Sequence, residues 1–278
     1  MTTPDDASPP LDPERIGELR RRLLGWYAEH GRDLPWRGTT DPYAILVSEV
    51  MLQQTQVSRV APRFAEWLAA WPDLESLAAA PLADVLRRWQ GLGYNTRARR
   101  LRECAAAVAA AGDKPAALPR TLDGLRALPG IGPYTARAVL VFAHNDDLAA
   151  VDANVRRVLT HELDLSSELG DRALQAVAEA ALPPGRSRDW HNALMDYGAT
   201  VLTARATGIA PRSRQSAFEG SRRQQRARLL RVLLERGPRS TSELARELGL
   251  PALEVAGLVE ALRRDGLVAR DGDSVRVA

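Results

Sequence analysis

From Pro13 to about Thr203, apolar residues recur at three- and four-residue spacing, and this periodicity restricts the segment to packed helices. Ile16, Leu19, Leu23 and Tyr27 form one such stripe; Val60, Phe64, Trp67 and Leu68 form another. Proline and glycine supply the breaks, at Leu34-Pro35, Asp41-Pro42, Trp71-Pro72, Gly91-Leu92-Gly93, Pro129-Gly130 and Pro183-Pro184-Gly185. Strand-like alternation is almost absent. Residues 13–203 are therefore predicted to be an all-α domain of short helices. Residues 1–12 are rich in Pro, Asp and Ser and are predicted to be a disordered tail. They lack the basic start and apolar stretch of a secretory signal. No apolar run approaches the roughly 20 residues of a membrane span, so a cytoplasmic protein is expected.

The pattern changes after Thr203. Residues 204–221 lose the periodicity and read as a linker, and residues 222–278 read as a second, smaller domain. A helix is predicted from Arg222 to about Glu235, and Ser240-Thr241-Ser242-Glu243 has the form of a capping box that opens another. A third should run from Pro251 to Arg264, followed by a hairpin in which Leu267–Arg270 and Ser274–Ala278 flank Asp271-Gly272-Asp273. Three helices and a hairpin resemble a winged helix-turn-helix, a pattern also found in small packing domains.

Two counts narrow the chemistry. The chain holds one cysteine, Cys104, which excludes an internal disulfide and any site built from several thiolates. It holds one lysine, Lys114, so amine catalysis has one side chain and the α-amino group to draw on. Charge is uneven: residues 212–278 carry 14 basic groups against 9 acidic, while residues 1–211 carry 24 against 26. If the larger part binds nucleic acid, it does so through local arginines and backbone amides.

The stretch from Leu125 to Ala136, LRALPGIGPYTA, places a Gly-x-Gly turn between two helical segments. Glycine lets the backbone approach a neighbour closely, and the next helix begins with free N–H groups suited to an anion. This is a helix-hairpin-helix, with Gly130, Gly132, Tyr134 and Thr135 at the phosphate side; a plain helical turn is the simpler alternative. Twenty residues beyond Gly132, Asp152 stands just before the apolar-periodic run Ala153–Leu159. By itself it reads as a helix N-cap.

Together these segments resemble the helix-hairpin-helix DNA glycosylase superfamily, and within it the MutY family of adenine DNA glycosylases. The resemblance extends through Leu34-Pro35-Trp36-Arg37, Asp41-Pro42-Tyr43, the block from Ser48 to Val57 and Gly91-Leu92-Gly93-Tyr94, in order, over about residues 14–200. The Glu49 block is the most specific, because related endonucleases III place no glutamate there. The resemblance implies a two-lobed all-α glycosylase fold with a small C-terminal α+β domain. It also implies a monomer acting on double-stranded DNA that holds a mispair or lesion, and so a nucleoid-associated location.

Breaking an N-glycosidic bond develops positive charge on the sugar while negative charge moves into the departing base. A carboxylate beside the sugar and an acid on the base lower the barrier. By the resemblance, Asp152 takes the first role and Glu49 the second, with Tyr134 and Asn154 beside them. Glu49 would protonate N7 of adenine, which requires a raised pKa. Gln53, Gln54, Thr55 and Tyr94 match residues that probe and wedge the duplex where the target base leaves it; for Tyr94, core packing is the alternative. Trp36 and Arg37 match residues at the base pocket, though Trp36 reads equally as structural. Arg97, Arg99 and Arg100 form a candidate phosphate patch, with a solvated helix face as the alternative.

In bifunctional relatives a hairpin lysine attacks the sugar. Tyr134 stands at that position and Lys114 lies upstream, so a monofunctional enzyme without lyase activity is expected. Two departures from the family stand out. The first position of the usual [4Fe–4S] ligand set falls at Leu202 and no cysteine follows Cys104, so a clusterless member with no metal site is expected. Arg205, Arg212 and Arg214 would replace part of the cluster loop's DNA contact, and a monovalent cation on the hairpin carbonyls is a further possibility from the resemblance. The 57 residues after Ser221 are too few for the Nudix-like domain that recognises 8-oxoguanine. The expected substrate is adenine opposite 8-oxoguanine or guanine. The alternatives are hypoxanthine, thymine or uracil in G mispairs, and a DNA-binding regulator without activity.

Overall fold

The computed structural model describes residues 11–112, 114–210, 212 and 218–278. Along the chain run α1 (Pro13–His30), α2 (Pro42–Leu52), α3 (Val57–Ala70), α4 (Leu74–Ala79), α5 (Leu82–Arg88) and α6 (Thr96–Ala110). Next come α7 (Leu122–Arg126), α8 (Pro133–His144), α9 (Ala153–Glu162), α10 (Asp171–Ala180), α11 (Ser187–Thr200) and α12 (Ala204–Thr207). The C-terminal part adds α13 (Arg222–Arg236), β1 (Arg239–Ser240), α14 (Thr241–Leu248), α15 (Ala252–Arg264), β2 (Val268–Asp271) and β3 (Ser274–Val277). The fold is thus all-α, with one small antiparallel sheet at the end, as the periodicity requires. Among the described residues no helix is long and apolar enough to cross a membrane.

The chain divides into two compact units that interleave in sequence. One comprises the described parts of Met1–Glu49, Pro119–Arg126 and Ile131–Arg214; the other, those of Val50–Leu118, Ala127–Gly130 and Gln215–Ala278. In the first unit, the predicted stripe of α1 is buried at Ile16, Leu19 and Leu23 against Val155, Val158 and Leu159 of α9, Leu174 and Val177 of α10, and Trp190 and Leu194 of α11. Each such side chain contributes about 1.5–3 kcal/mol on leaving water. Asp12 caps α1 by accepting from the Glu14 N–H at 3.0 Å, so order begins inside the segment expected as tail; residues 1–10 lie outside the described residues.

In the second unit α3 buries Val60, Phe64 and Trp67, and Trp67 meets Trp71 and Trp89 edge-on at 4.8 and 5.4 Å between ring centroids. Edge-to-face geometry sets the positive rim of one ring on the negative face of the next. The C-terminal helices and sheet belong to this same unit. Their sheet order is β1-β3-β2, with Val268 opposite Val277. The capping box is present, the Ser240 hydroxyl accepting from the Glu243 N–H and the Glu243 carboxylate from the Ser240 N–H. β1 has two residues, too short for any alternation to announce it.

Within the second unit, Arg87 Nε donates to the Leu234 carbonyl at 3.2 Å, and Gly266, at φ +65°, leaves 3.2 Å between the place a Cβ would take and Arg99 Nε. The C-terminal elements therefore pack directly on α5 and α6. The segment expected as a linker begins with α12, capped by Thr203. Residue 211 and residues 213–217, Arg214 among them, lie outside the described residues.

Candidate active site

Asp41 starts α2 by accepting from the backbone N–H groups of Tyr43 and Ala44 at 3.0 and 3.2 Å. The helix that follows is apolar on every side, and Tyr43 to Val47 are all buried. Glu49, in its next turn, is only 7% exposed. A carboxylate there has lost its water, so burial pushes the Glu49 pKa up to about 7, with the Asp152 charge adding to the rise. The Tyr134 hydroxyl, from the first turn of α8, hydrogen-bonds to Glu49 and partly opposes the rise. Burial and the two carboxylates hold the Tyr134 pKa well above its ordinary value, so the phenol remains a neutral donor.

Asp152 is the N-cap of α9, and the cap is what aims it. Its Oδ1 accepts from the backbone N–H groups of Asn154 and Val155 at 2.8 and 2.7 Å, and its Oδ2 accepts from Asn154 Nδ2 at 3.0 Å. Burial raises this carboxyl on balance, while all three of these bonds and the Arg157 charge act against the rise and favour the ionised form. The helix N-terminus adds its positive potential. The site thus holds two carboxyls in opposed surroundings: Glu49 in apolar packing with one hydroxyl donor, Asp152 ringed by N–H donors.

Arg157, one turn along α9, completes the arrangement. It is buried, and its Nη2 donates to Asn154 Oδ1 at 2.6 Å and to the Gly198 carbonyl at 2.7 Å; its Nε donates to the Leu202 carbonyl at 2.6 Å. An amide whose oxygen accepts from a guanidinium must present its nitrogen to Asp152. Gly198 lets α11 come close enough for this, since a Cβ there would lie 2.9 Å from Asn154 Cβ. Sequence reasoning missed Arg157. Its signal was an arginine three residues after Asn154, on the buried face defined by Val155 and Val158.

Other expected site residues divide into those the structure leaves available and those it does not. Trp36 is buried. Arg37, expected at the base pocket, instead forms a two-pronged ion pair with Asp196 at 2.5 and 2.6 Å, which Arg32 Nε joins at 2.6 Å. Burial alone would raise the Asp196 carboxyl, but the bonds from Arg37 and Arg32 outweigh it and hold the pKa below its ordinary value. Arg37 is therefore a structural cation, for the reason that a wholly buried carboxylate must be paired.

Arg97 requires the same correction. It is 9% exposed, and its two terminal nitrogens donate to the carbonyls of Val50, Met51, Gln53, Leu92 and Gly93 and to the Thr55 hydroxyl. No face is left for a phosphate. Val50 and Met51 lie at the end of α2, and the other partners lie on the turns that carry Gln53, Gln54 and Thr55 on one side and Tyr94 on the other; Thr55 also donates to Leu92 at 3.2 Å. Gln54 and Tyr94 hold left-handed backbones, φ 56° and 47°.

At the hairpin, Gly130 has φ +80° and leaves 2.8 Å from a would-be Cβ to Arg100 Cβ. Gly132 has open space where its Cβ would be, and it caps α8 without any side-chain bond. The Thr135 side chain is buried and the Tyr134 hydroxyl is engaged by Glu49, so at both positions only backbone N–H groups suit the expected phosphate contact.

Cys104 is buried in α6, its thiol pushed up to about 12 by burial. At Leu202 the backbone carbonyl accepts from Arg157, and the residues that follow form the Thr203-capped turn of α12. One cysteine and an apolar side chain do not fit an iron–sulfur cluster. Arg212 pairs with Asp171 at 2.6 Å, and Arg205 is exposed.

The sequence profile of the HhH-GPD superfamily of base excision DNA repair proteins matches residues 47–183, which include both carboxyls, Tyr134 and the hairpin. The fold agrees: a thermostable thymine-DNA glycosylase superposes with a TM-score of 0.63 at 30% identity over 70% of this chain and 90% of its own. Endonuclease III in a trapped covalent complex with DNA superposes at 0.61, with 20% identity over 73% of this chain and 92% of its own. That defines the class, a helix-hairpin-helix protein of base excision repair. A Mycolicibacterium smegmatis protein named adenine DNA glycosylase is 41% identical over 90% of this chain and 92% of its own length. The Homo sapiens adenine DNA glycosylase is 40% identical over 69% of this chain and 37% of its own length. The chain belongs to this MutY-like adenine DNA glycosylase family.

Proposed function

We propose that this protein is a monofunctional DNA glycosylase that hydrolyses the N-glycosidic bond of adenine mispaired with 8-oxoguanine or guanine in duplex DNA. The observation that carries the reading is a carboxyl whose pKa sits near 7, Glu49, beside a second carboxyl capped by N–H donors, Asp152. Glu49 protonates the departing purine at N7, so that the base leaves neutral. Asp152 stays ionised and stabilises the positive charge on the sugar, and water then adds to the anomeric carbon and gives up a proton that restores the Glu49 carboxylic acid. Tyr134 holds the acid in place through its hydroxyl. The open space at Gly132 and the uncapped start of α8 suit a DNA phosphate. The family of the relatives named adenine DNA glycosylase supports adenine as the base.

Excision of another base by the same machinery is the second reading, favoured by the likeness to a thymine-DNA glycosylase. Against it, N7 protonation has no counterpart in a pyrimidine. Duplexes with adenine, hypoxanthine, thymine or uracil opposite 8-oxoguanine, guanine or cytosine test both, with alkali added after incubation. Adenine excision revealed only by alkali is the expected result. Excision of thymine or uracil alone would replace the adenine reading, and binding without any excision would favour a regulator.

A further inference from the structure

Within the first unit, Asp152 is reached from α8 through residues 145–151, which belong to no helix or strand. Side chains must therefore fix the direction from which the chain enters α9. One peptide unit of this connection is held at both ends. The Ala150 N–H donates to His191 Nε2, on α11, at 2.9 Å, and the Ala149 carbonyl accepts from Gln175 Nε2, on α10, at 2.8 Å. Ala149 and Ala150 are both buried, and a buried peptide keeps the orientation in which its two polar groups are bonded. His191 is itself 1% exposed, with Nδ1 2.7 Å from the Ser187 carbonyl. Because Nε2 accepts from a backbone N–H, the ring proton sits on Nδ1 and is donated to Ser187, which fixes both the tautomer and the ring plane. Burial lowers the His191 pKa and so favours the neutral ring that this bonding requires.

The earlier part of the connection is tied to the start of α11 as well. Asn145 Nδ2 donates to the Gly185 carbonyl at 2.7 Å, and the Asp147 carboxylate accepts from the Gly185 N–H at 3.0 Å and the Ser187 hydroxyl at 2.7 Å. After these anchors, the bonded peptide is the last fixed point before the cap, with Val151 alone between Ala150 and Asp152. A rotation of that peptide passes through one residue to the carboxylate. We propose that His191 is a positioning residue for excision: by holding the Ala149–Ala150 peptide against Gln175, it sets where Asp152 begins α9, and so where its carboxylate lies relative to Glu49 and Tyr134. His191 acts through the backbone and has no part in the proton transfers. This rests on the excision activity proposed above.

The test uses the full chain with His191→Phe, His191→Gln, Gln175→Leu and the double variant His191→Phe/Gln175→Leu. Single-turnover excision of adenine opposite 8-oxoguanine is measured at saturating enzyme, beside DNA affinity by fluorescence anisotropy and thermal melting. His191→Phe keeps a planar ring and removes the acceptor, and it should slow excision by about tenfold, short of the roughly 10²-fold that an ångström of misplacement costs, while affinity holds within a few-fold. His191→Gln offers an oxygen near the place of Nε2 and should restore the rate to within a few-fold of the wild type. Gln175→Leu should slow excision as well. The double variant should be no slower than the slower single one, because either change releases the same peptide. An unchanged rate in folded His191→Phe, a Gln variant as slow as the Phe variant, or losses that multiply in the double variant overturns this inference and leaves the glycosylase reading intact. If His191→Phe does not fold, Gln175→Leu decides, and an unchanged rate there overturns it. A wild type that excises nothing removes the underlying reading as well.

Discussion

Arg157 donates a 2.6 Å hydrogen bond to the side-chain oxygen of Asn154 and so dictates that the amide nitrogen faces Asp152, at 3.0 Å. Removing that donor frees the amide to turn its oxygen toward a carboxylate, which repels it. Arg157→Met should therefore lower the single-turnover excision rate by about 10²-fold through misorientation. It also leaves the Gly198 and Leu202 carbonyls unpartnered, at about 1–3 kcal/mol each. Arg157→Lys should restore part of the rate. A rate unchanged in Arg157→Met, measured below the variant's melting temperature, would show that the amide orients without it.

The Glu49 pKa of about 7 makes a prediction about rate and another about stability. In the proposed reaction the protonated acid is the active form, so excision should fall as pH rises through about 7, tenfold per unit well above it. The stability sign follows from a pKa that is higher folded than unfolded. The folded protein is relatively most stable below the unfolded value of 4.5 and loses stability as pH rises through about 7. The full loss is roughly 3 kcal/mol. Glu49→Gln should be inactive at every pH and should melt higher than the wild type at pH 8.5, with the difference vanishing near pH 4. Calorimetric melts of both proteins across that range read this directly.

Gly198→Ala is a test of packing rather than of chemistry. The added methyl would lie 2.9 Å from Asn154 Cβ and 3.1 Å from Val158 Cγ2, so α11 must retreat from α9. Overpacking of this kind costs about 1–3 kcal/mol. Because the retreat displaces Asn154, excision should drop by more than tenfold while DNA affinity, measured by fluorescence anisotropy, holds within a few-fold. Equal losses in both would place the damage elsewhere.

Strand cleavage should be absent. Lys114 is the sole lysine, and Tyr134 occupies the hairpin position a Schiff-base lysine would need. Borohydride should trap no covalent complex with abasic DNA in the wild type. A trapped complex lost in Lys114→Ala would overturn the monofunctional reading.

Much of this was legible in the sequence, and what was not has definite causes. The helices were announced by stripes such as Ile16, Leu19 and Leu23, which bury as the spacing requires. Asp152 was readable as an N-cap, and the capping bonds are there; the same bonds hold the carboxylate in place for the role proposed above. The arginines were the weak point. Arg37 and Arg97 sit in segments that match DNA-contacting blocks, yet both are turned inward, one by Asp196 and the other by a ring of carbonyls. Sequence reports that a cation is present but not which acceptors lie within reach, because those come from residues as distant as 159 positions along the chain. The contact of Arg223 with Tyr94, 129 positions away, was hidden for the same reason.

The bonds of Arg97 have a consequence for anyone who would re-engineer this enzyme. Because one side chain fastens the 53–55 turn to the 92–94 turn, the two are not separate modules. Grafting either loop from a relative changes the carbonyls that Arg97 must reach, so retargeting succeeds only when both loops and their shared clasp are transplanted together.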